Sequence, residues 1–166
     1  MDFRVVPIGE EHIEGFRAVL DSVARERRYL GLLEAPPLEE TGAFVRNNLR
    51  KGHQCVALVG ERVVGWCDIV PIDRPTMAHC GVLGVGILAV HRGRGIGTAL
   101  IRATLDRARD AGLTRIELTV REPNARLVTM YEKFGFVVEG LKRDAVLVDG
   151  KYENLVCMGL RFGTAA

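Results

Sequence analysis

The fold of this chain is decided by residues 81–98, which read GVLGVGILAVHRGRGIGT. The apolar part, Gly81 to Val90, predicts a strand, and its glycines indicate a bulge or the close approach of another group to the backbone. The turn Arg92 to Thr98 follows at once, and a helix then runs to about Asp110. Unpaired amides at a helix start point outward and carry the positive end of the helix dipole, so this turn predicts a phosphate site.

Other interpretations of the glycine-rich turn have to be compared with its sequence. Its glycines leave no Cβ between the backbone and an anion, but a tight strand-to-helix turn that binds nothing would also use them. A dinucleotide fingerprint would need a glycine where the chain has Thr98, and a Walker A loop would need Gly-Lys-Ser/Thr after its glycines. The sequence therefore predicts neither of these nucleotide-binding motifs.

The rest of the chain predicts strands and helices in the order β-α-α-β-β-β-α-β-α-β-β. Gly60-Glu61 and Asp149-Gly150 are hairpin signals, whereas the strand–turn–helix–strand unit in the middle supplies one parallel crossover. This order predicts a single α+β domain over 1–166, with a mixed, mostly antiparallel twisted sheet flanked by helices. The other predicted elements are a strand over Phe3 to Ile8, a helix carrying Ile13, Phe16, Leu20 and Val23, a helix over Leu38 to Leu49, strands over Gln54 to Val59, Val63 to Val70 and Arg115 to Val120, and a helix over Ala125 to Lys133.

Composition narrows the class of protein. A net charge of +2, from 23 basic and 21 acidic residues, predicts neither a nucleic acid nor an anionic membrane as partner. The start, Met1 to Arg4, has no apolar signal region, and no stretch approaches the ~20 apolar residues of a membrane span, so we expect a cytoplasmic protein. The cysteines lack metal-ligand spacing, which predicts reduced thiols and no metal site at Cys55, Cys67, Cys80 and Cys157.

A second group of candidate residues lies near the C-terminal end. Asn124 and Tyr131 are seven residues apart, which places them two helical turns apart on one face. The alternative is a helix N-cap, Asn124, followed by an amphipathic core tyrosine.

Taken together, these motifs resemble the GNAT superfamily of N-acetyltransferases. The resemblance rests on Arg92-x-x-Gly95-x-Gly97 after an apolar strand, then Asn124 and Tyr131-Glu-Lys-Phe-Gly-Phe, and it covers about Trp66 to Met158. It implies the acyl-CoA N-acyltransferase fold with a splayed central strand pair. It also implies acetyl-CoA as cosubstrate, a primary amine as acceptor, and a homodimer.

The resemblance further implies roles for individual residues. Tyr131 matches the tyrosine that protonates the departing CoA thiolate, and Asn124 matches a residue that contacts the cofactor. The family's splayed strand contacts pantetheine through its backbone at Val85, Gly86 and Ile87. The CoA phosphates would be held by Arg92, Gly93, Arg94, Gly95, Ile96, Gly97 and Thr98.

The general base does not follow from the resemblance. Several members carry a glutamate where this chain has Gly81, and the ribosomal-protein alanine acetyltransferases carry one where it has Thr119. On regular strands His79 shares a face with Gly81, and Glu117 shares one with Thr119, so both are hypotheses for the catalytic base. The alternatives are a strand-end histidine and a solvated strand face.

The predicted reaction is direct attack of the amine on the thioester in a ternary complex. No cysteine has a nearby base or basic motif that would suggest an acyl-enzyme. Small amines, amino-acid-like molecules and protein N-termini all remain open as acceptors. A non-catalytic acyl-CoA sensor is the alternative from another class, but Tyr131 argues against it because binding alone needs no donor at the sulfur.

Overall fold

The computed structural model describes residues 2–51 and 53–163. Met1, Gly52 and residues 164–166, which the single-domain prediction includes, lie outside the described residues. The strands and helices of the described part are β1 (Arg4–Pro7), α1 (Ile13–Arg25), α2 (Leu38–Lys51), β2 (Gln54–Val59), β3 (Arg62–Pro71), β4 (Cys80–Ile87), α3 (Ile96–Asp110), β5 (Arg115–Arg121), α4 (Arg126–Glu132), β6 (Val137–Val148) and β7 (Lys151–Arg161), with short 3₁₀ turns between some of them. The predicted order of elements and the α+β class are confirmed.

One sheet separates two hydrophobic layers. On one face α1 and α2 bury side chains such as Phe16 and Val45 against Trp66 of β3. On the other face α3 and α4 bury Leu100 and Tyr131 among side chains that include Cys67, the neighbour of Trp66 in sequence. The alternation of strand side chains between two faces therefore divides the core into two clusters.

The centre of the sheet is split. Strand order is β1-β2-β3-β4-β5-β7-β6, and all neighbouring pairs are antiparallel except β4 with β5. Those two strands pair only from Cys80 to Val82, against Arg115 to Glu117. Beyond that point β4 continues with β3 to Ile87 and β5 continues with β7 to Arg121, so a gap opens between them. The splayed strand pair implied by the resemblance is confirmed.

Two glycines of β4 are explained by the close packing of side chains from β3. The register of β4 with β3 is regular over its whole length, so the bulge that the sequence left open is not there. A Cβ on Gly86 would lie 2.3 Å from the ring of Trp66, and a Cβ on Gly81 would lie 2.5 Å from Ile69. Close approach of β3 side chains, the other possibility, accounts for both positions.

The turns that bound these elements follow their sequence signals. Asp149 and Gly150 both have positive φ, at 53° and 74°, as a two-residue type I′ hairpin requires. Gly60 also has positive φ in the β2–β3 hairpin, and Gly112 does so just after α3 ends. None of the described helices is long and apolar enough to cross a membrane.

Candidate active site

A cleft of about 700 Å³ opens where β4 and β5 separate. This volume lies within the ~300–1,000 Å³ that is usual for small-molecule sites. The cleft is lined both by Val23, from the face of α1, and by Ile101, from the face of α3. It therefore passes through the sheet and connects its two sides.

Most of the predicted cofactor contacts line this cleft. The exception is Arg94, which is exposed on the turn and lies outside the lining. The side chain of Ile96 is buried in the core, so this residue can offer mainly its backbone to a ligand. The predicted residues that do line the cleft are Val85, Gly86, Ile87, Arg92, Gly93, Gly95, Ile96, Gly97, Thr98, Asn124 and Tyr131.

The turn before α3 has the conformation of an anion site. Gly93 and Gly95 have φ of 76° and 83°, a region that side chains with a Cβ rarely adopt. Gly95 is the N-cap of α3 and supplies no side-chain hydrogen bond, so the first-turn amides keep their capacity to bind an anion. Gly97 has a different cause: a Cβ there would come within 3.1 Å of Ile87, so glycine lets α3 approach β4.

The side chain of Arg92 already has protein partners. Its guanidinium pairs with both carboxylate oxygens of Glu26, at 2.9 and 2.5 Å, and its Nε donates to the carbonyl of Ile87 at 3.0 Å. The same group lies 4.9 Å from the ring centroid of Tyr29. Arg92 thus connects the glycine-rich turn at residues 92–98 to the segment that follows α1.

That segment, residues 26–31, is here called the strap. It carries Tyr29 and Leu30, which line the cleft on the face of α1. Its backbone carbonyl at Arg27 accepts a hydrogen bond from the buried Arg121 at 2.9 Å, and the side chain of Arg27 pairs with Asp149 of the last hairpin at 2.7 Å. Contacts from the glycine-rich turn, β5 and the β6–β7 hairpin therefore hold the strap beside the cleft.

Asn124 also holds the strap. Its Nδ2 donates to the carbonyl of Arg28 at 2.5 Å, and its side chain is buried. The residue at the N-cap of α4 is Ala125, so Asn124 is not the cap that the sequence left open. Asn124 thus lines the cleft and fixes the strap at the same time.

Tyr131 lies in the wall of the cleft opposite the strap. It is 7% exposed, and its ring meets Phe136 edge-on, with centroids 5.9 Å apart. Burial, with a smaller contribution from the neighbouring Cys67 thiol, raises the pKa of the Tyr131 phenol above its usual range. The phenol therefore keeps its proton at neutral pH and is available as a donor.

The two base candidates from the sequence lie away from the cleft. His79 is exposed in the turn before β4, at the end opposite the gap; at ~3.3 Å per strand residue it is about 20 Å from Val85. Glu117 is partly exposed on the paired part of β5, where it forms an ion pair with Arg115 at 3.3 Å. Neither side chain lines the cleft.

Sequence reasoning missed Asp68 on β3. Its Oδ2 accepts a hydrogen bond from Trp66 Nε1 at 3.0 Å, and its Oδ1 would lie 3.4 Å from a Cβ placed on Gly84, which lines the cleft. Burial raises the pKa of this carboxyl to about 7, although the Trp66 hydrogen bond acts in the opposite direction. The signal was available: Asp68 is the one acidic residue in the apolar strand Val63 to Val70.

The cysteines form no second site. Cys55, Cys67 and Cys80 are buried and Cys157 is partly buried, all four as free thiols. Burial raises the pKa of the Cys55 and Cys67 thiols, which makes them poor nucleophiles at neutral pH. Within residues 2–51 and 53–163, no three His, Cys, Asp or Glu side chains are grouped as metal ligands.

Comparison with known proteins agrees with this geometry. The model of the acetyltransferase (GNAT) family matches residues 17–136. An L-amino acid N-acetyltransferase of Escherichia coli is 33% identical over 106 residues, which cover 63% of this chain and 65% of that protein. The chain spans less than two thirds of the length of the curated relatives it matches.

Solved structures share the whole fold. A GNAT-family acetyltransferase from Streptococcus pneumoniae superimposes with a TM-score of 0.90 at 23% identity, over 97% of this chain and 100% of that one. A phosphinothricin acetyltransferase from Sinorhizobium meliloti, solved with acetyl-CoA, does so with a TM-score of 0.87 at 16% identity, over 98% and 90%. Because the family model covers most of the chain, including the glycine turn, Asn124 and Tyr131, this protein belongs to the acetyltransferase (GNAT) family.

Proposed function

We propose that this protein is an N-acetyltransferase that moves an acetyl group from acetyl-CoA to a primary amine by direct attack in a ternary complex. The observation that carries the proposal is the cleft through the sheet, which joins the uncapped start of α3 to the strap on the other face. A thioester that enters from the side of α3 and an amine that enters from the side of the strap would meet in the gap between β4 and β5.

The wall of the cleft fits acetyl-CoA. The amides of the turn at residues 93–98 suit the pyrophosphate, since they combine free donors with the positive end of the α3 dipole. Leu127 and Met130 add apolar surface for the pantetheine arm. The edge of β4 that faces the gap has no strand partner beyond Val82, so its backbone groups at Val85, Gly86 and Ile87 are the proposed contacts to the arm.

The chemistry requires three tasks. An amine with a pKa near 10.4 is neutral in only about one molecule in 2,500 at pH 7, so a base has to take its proton. A backbone amide on β4 would stabilise the tetrahedral oxyanion. Tyr131 would donate to the departing thiolate; because its pKa lies above that of a thiol, we expect its hydrogen bond to stabilise the thiolate as the C–S bond breaks.

The acceptor we propose is a small amine or an amino-acid-like molecule, with a protein N-terminus as the alternative. The name of the Escherichia coli relative, an L-amino acid N-acetyltransferase, supports the first. On the acceptor side the cleft is lined by the strap and by Thr119 and Arg121, and the charge of Arg121 is neutralised by Glu153.

One experiment tests the proposed function. Purified protein is incubated with acetyl-CoA and a panel of L-amino acids and small primary amines while free thiol is followed. An acetyltransferase releases CoA in proportion to the acetylated amine found by mass spectrometry. A protein that binds acetyl-CoA but releases no thiol with any amine would be an acyl-CoA sensor instead.

We also propose that the protein is cytoplasmic and forms a homodimer; the dimer is what the resemblance implies. Strand β6 is an edge of the sheet, and it exposes the apolar side chains of Val137, Val138 and Leu141. Such an edge is a common surface for pairing with a second chain. Sedimentation equilibrium at micromolar concentration gives the mass of the assembly, and a monomer mass there would reject the dimer.

A further inference from the structure

Three residues form a row across the sheet beside the gap. Gln54 of β2 pairs with Asp68 of β3, and Asp68 pairs with Gly84 of β4. Directly opposed residues of antiparallel strands point to the same face. The residues of this row point to the face of the sheet that α1 covers, since Trp66, two residues before Asp68, belongs to the core cluster under that helix. The row therefore lies on the side of the sheet where the strap borders the cleft.

Asp68 is buried and does not itself line the cleft, but its carboxylate lies beside Gly84, which does. Oδ2 accepts a hydrogen bond from the indole N–H of Trp66, whereas Oδ1 lies beside Gly84, 3.4 Å from where a Cβ on that glycine would be. On the other side of Asp68, Gln54 is 2% exposed, and its Nε2 has no partner in the part of the chain that the structure describes. Buried polar groups normally have partners, so the unpaired amide nitrogen of Gln54, in the same row as the Asp68 carboxylate, indicates a polar ligand here.

We propose that Asp68 is the catalytic base, which takes the proton of the acceptor ammonium group at the gap between β4 and β5. The proposal rests on the proposed function, because it assigns a step within that reaction. It replaces the hypotheses of His79, which precedes the end of β4 opposite the gap, and of Glu117, which forms an ion pair with Arg115.

The surroundings of Asp68 suit a base that works near neutral pH. Its neighbours in the row, Gln54 and Gly84, carry no charge, and burial raises the pKa of Asp68 to about 7. The titratable side chains at adjacent positions are Cys67 and His53, both buried, and the charge of Asp68 contributes to the raised pKa of the Cys67 thiol.

The charged groups on β5, the strand beyond β4 in the sheet, do not alter the raised pKa that we expect for Asp68. In the part of β5 that pairs with β4, the charged side chains are those of Arg115 and Glu117, which pair with each other. On the helical side, the residues of α1 that pack in this layer are apolar. A general base is most effective when its pKa is close to the working pH.

The two substrates and solvent account for every proton and every bond that changes in this reaction. Asp68 takes one proton from R–NH₃⁺, and the neutral nitrogen then forms the C–N bond to the thioester carbon. As the adduct collapses, the C–S bond breaks and the nitrogen loses its second proton to water, while the thiolate accepts a hydrogen bond from Tyr131 and takes its proton from solvent. Asp68 returns its proton to solvent. The sum is R–NH₃⁺ plus acetyl-S-CoA giving R–NH–acetyl, CoA-SH and H⁺.

The variant Asp68→Asn tests the assignment. It keeps an oxygen that accepts from Trp66 but removes the base. With the panel amine that the wild type acetylates fastest, we expect kcat/KM at pH 7 to fall by at least tenfold, and ~10²–10⁴-fold if Asp68 supplies the full effect of a general base. The deficit should shrink as the pH approaches the pKa of the amine, because solvent then supplies the neutral form. A loss under tenfold, or one that does not change with pH, would overturn the proposal.

Two further measurements do not depend on that variant folding. Trp66→Phe removes the donor that stabilises the carboxylate, so the acidic limb of the kcat/KM profile should move to higher pH. An unmoved limb would contradict Asp68 as its source.

In the resting wild-type protein, the ¹³C carboxyl signal of Asp68 should titrate near pH 7, and a titration near pH 4 would overturn the assignment. If the wild type acetylates no amine at all, the proposed function itself fails, whatever the carboxyl signal shows.

Discussion

Tyr131 and Asp68 show at the scale of single residues how burial sets protonation. Burial favours the neutral form of both groups and so raises both pKa values. For the phenol, this means that it stays protonated throughout the neutral range. For the carboxyl, it means that protonated and ionised forms are both populated near pH 7. The same physical cause thus keeps a phenol protonated on the α3 face of the sheet and lets a carboxyl exchange its proton on the α1 face.

The proposed role of Tyr131 as a hydrogen-bond donor can be tested by removing its hydroxyl oxygen. Tyr131→Phe keeps the ring and its packing on Phe136, so the fold should persist. We expect kcat to fall by at least ~10-fold while the Kd for acetyl-CoA changes by less than ~3-fold, because the donor acts mainly in the transition state. Tyr152→Phe, at a 64% exposed position on β7, is the matched control and should be silent. Wild-type kcat in a folded Tyr131→Phe protein, where chemistry limits the rate, would end the donor assignment.

The raised pKa of Asp68 also predicts a dependence of stability on pH. The folded state binds a proton up to about pH 7, whereas an unfolded aspartate releases it near 3.8. Folded protein therefore binds more protons between these values, and the free energy of unfolding should fall as the pH rises through this window. The largest cost, reached above pH 7, is about 4 kcal/mol for a difference of about three pKa units.

Urea denaturation at pH 5 and pH 8 measures this effect. Asp68→Asn should lose the part of the pH dependence that Asp68 causes, and it should gain stability on the wild type at pH 8. Ion-paired carboxyls such as Glu139 and Glu153 have lowered pKa values, so the stability they add is lost only at acidic pH and equally in both proteins. Parallel pH dependence of the two proteins would show that Asp68 ionises as an ordinary surface carboxyl does.

At the scale of secondary-structure elements, the most specific prediction concerns the turn before α3. Gly95→Asp places a side chain and a negative charge where we propose the pyrophosphate lies, and its φ of 83° strains any residue with a Cβ. Gly60→Asp is the matched control, because it has positive φ, open space and no contact with the cleft. Both variants should lose stability, but only Gly95→Asp should lose at least tenfold in acetyl-CoA affinity, or ~1.4 kcal/mol, by calorimetry. Equal affinities in the two folded variants would remove the phosphate assignment.

The elements themselves could largely be predicted from the sequence. Strand alternation, helical spacing and the Asp149-Gly150 turn are local signals, so β2, β5 and the hairpins have bounds close to those predicted. The strap could not be predicted. Its partners Arg121, Asn124 and Asp149 lie 94 to 122 residues along the chain from the groups they bind, and no local pattern encodes such pairs. The glycine-rich turn was predicted from its own residues and the role of Tyr131 from the resemblance, whereas the family's glutamates match Gly81 and Thr119, on β4 and β5, and give no signal for Asp68 on β3.

At the scale of the whole molecule, the sheet consists of two parts. Strands β1 to β4 form one part and β5, β7 and β6 the other, and among the described residues three residue pairs between β4 and β5 join them directly. Because the proposed cosubstrate lies between the parts, acetyl-CoA should hold them together. Hydrogen exchange should slow at the amides of β4 from Leu83 to Ile87 and in the facing half of β5. At 100 times its Kd, the ligand should add about 2.7 kcal/mol of stability. Protection confined to α3 would indicate that the ligand binds outside the gap.

The narrow junction also suggests where the chain can be divided. Gly112 stands in an exposed turn with positive φ, between the last helix of the first part and the first strand of the second. Fragments cut there would each retain hairpins of their own, and they would share few backbone bonds across the cut sheet. Reassembly of the two fragments would then depend on the concentration of acetyl-CoA. A split reporter fused to the new termini would convert this dependence into an optical measure of the thioester.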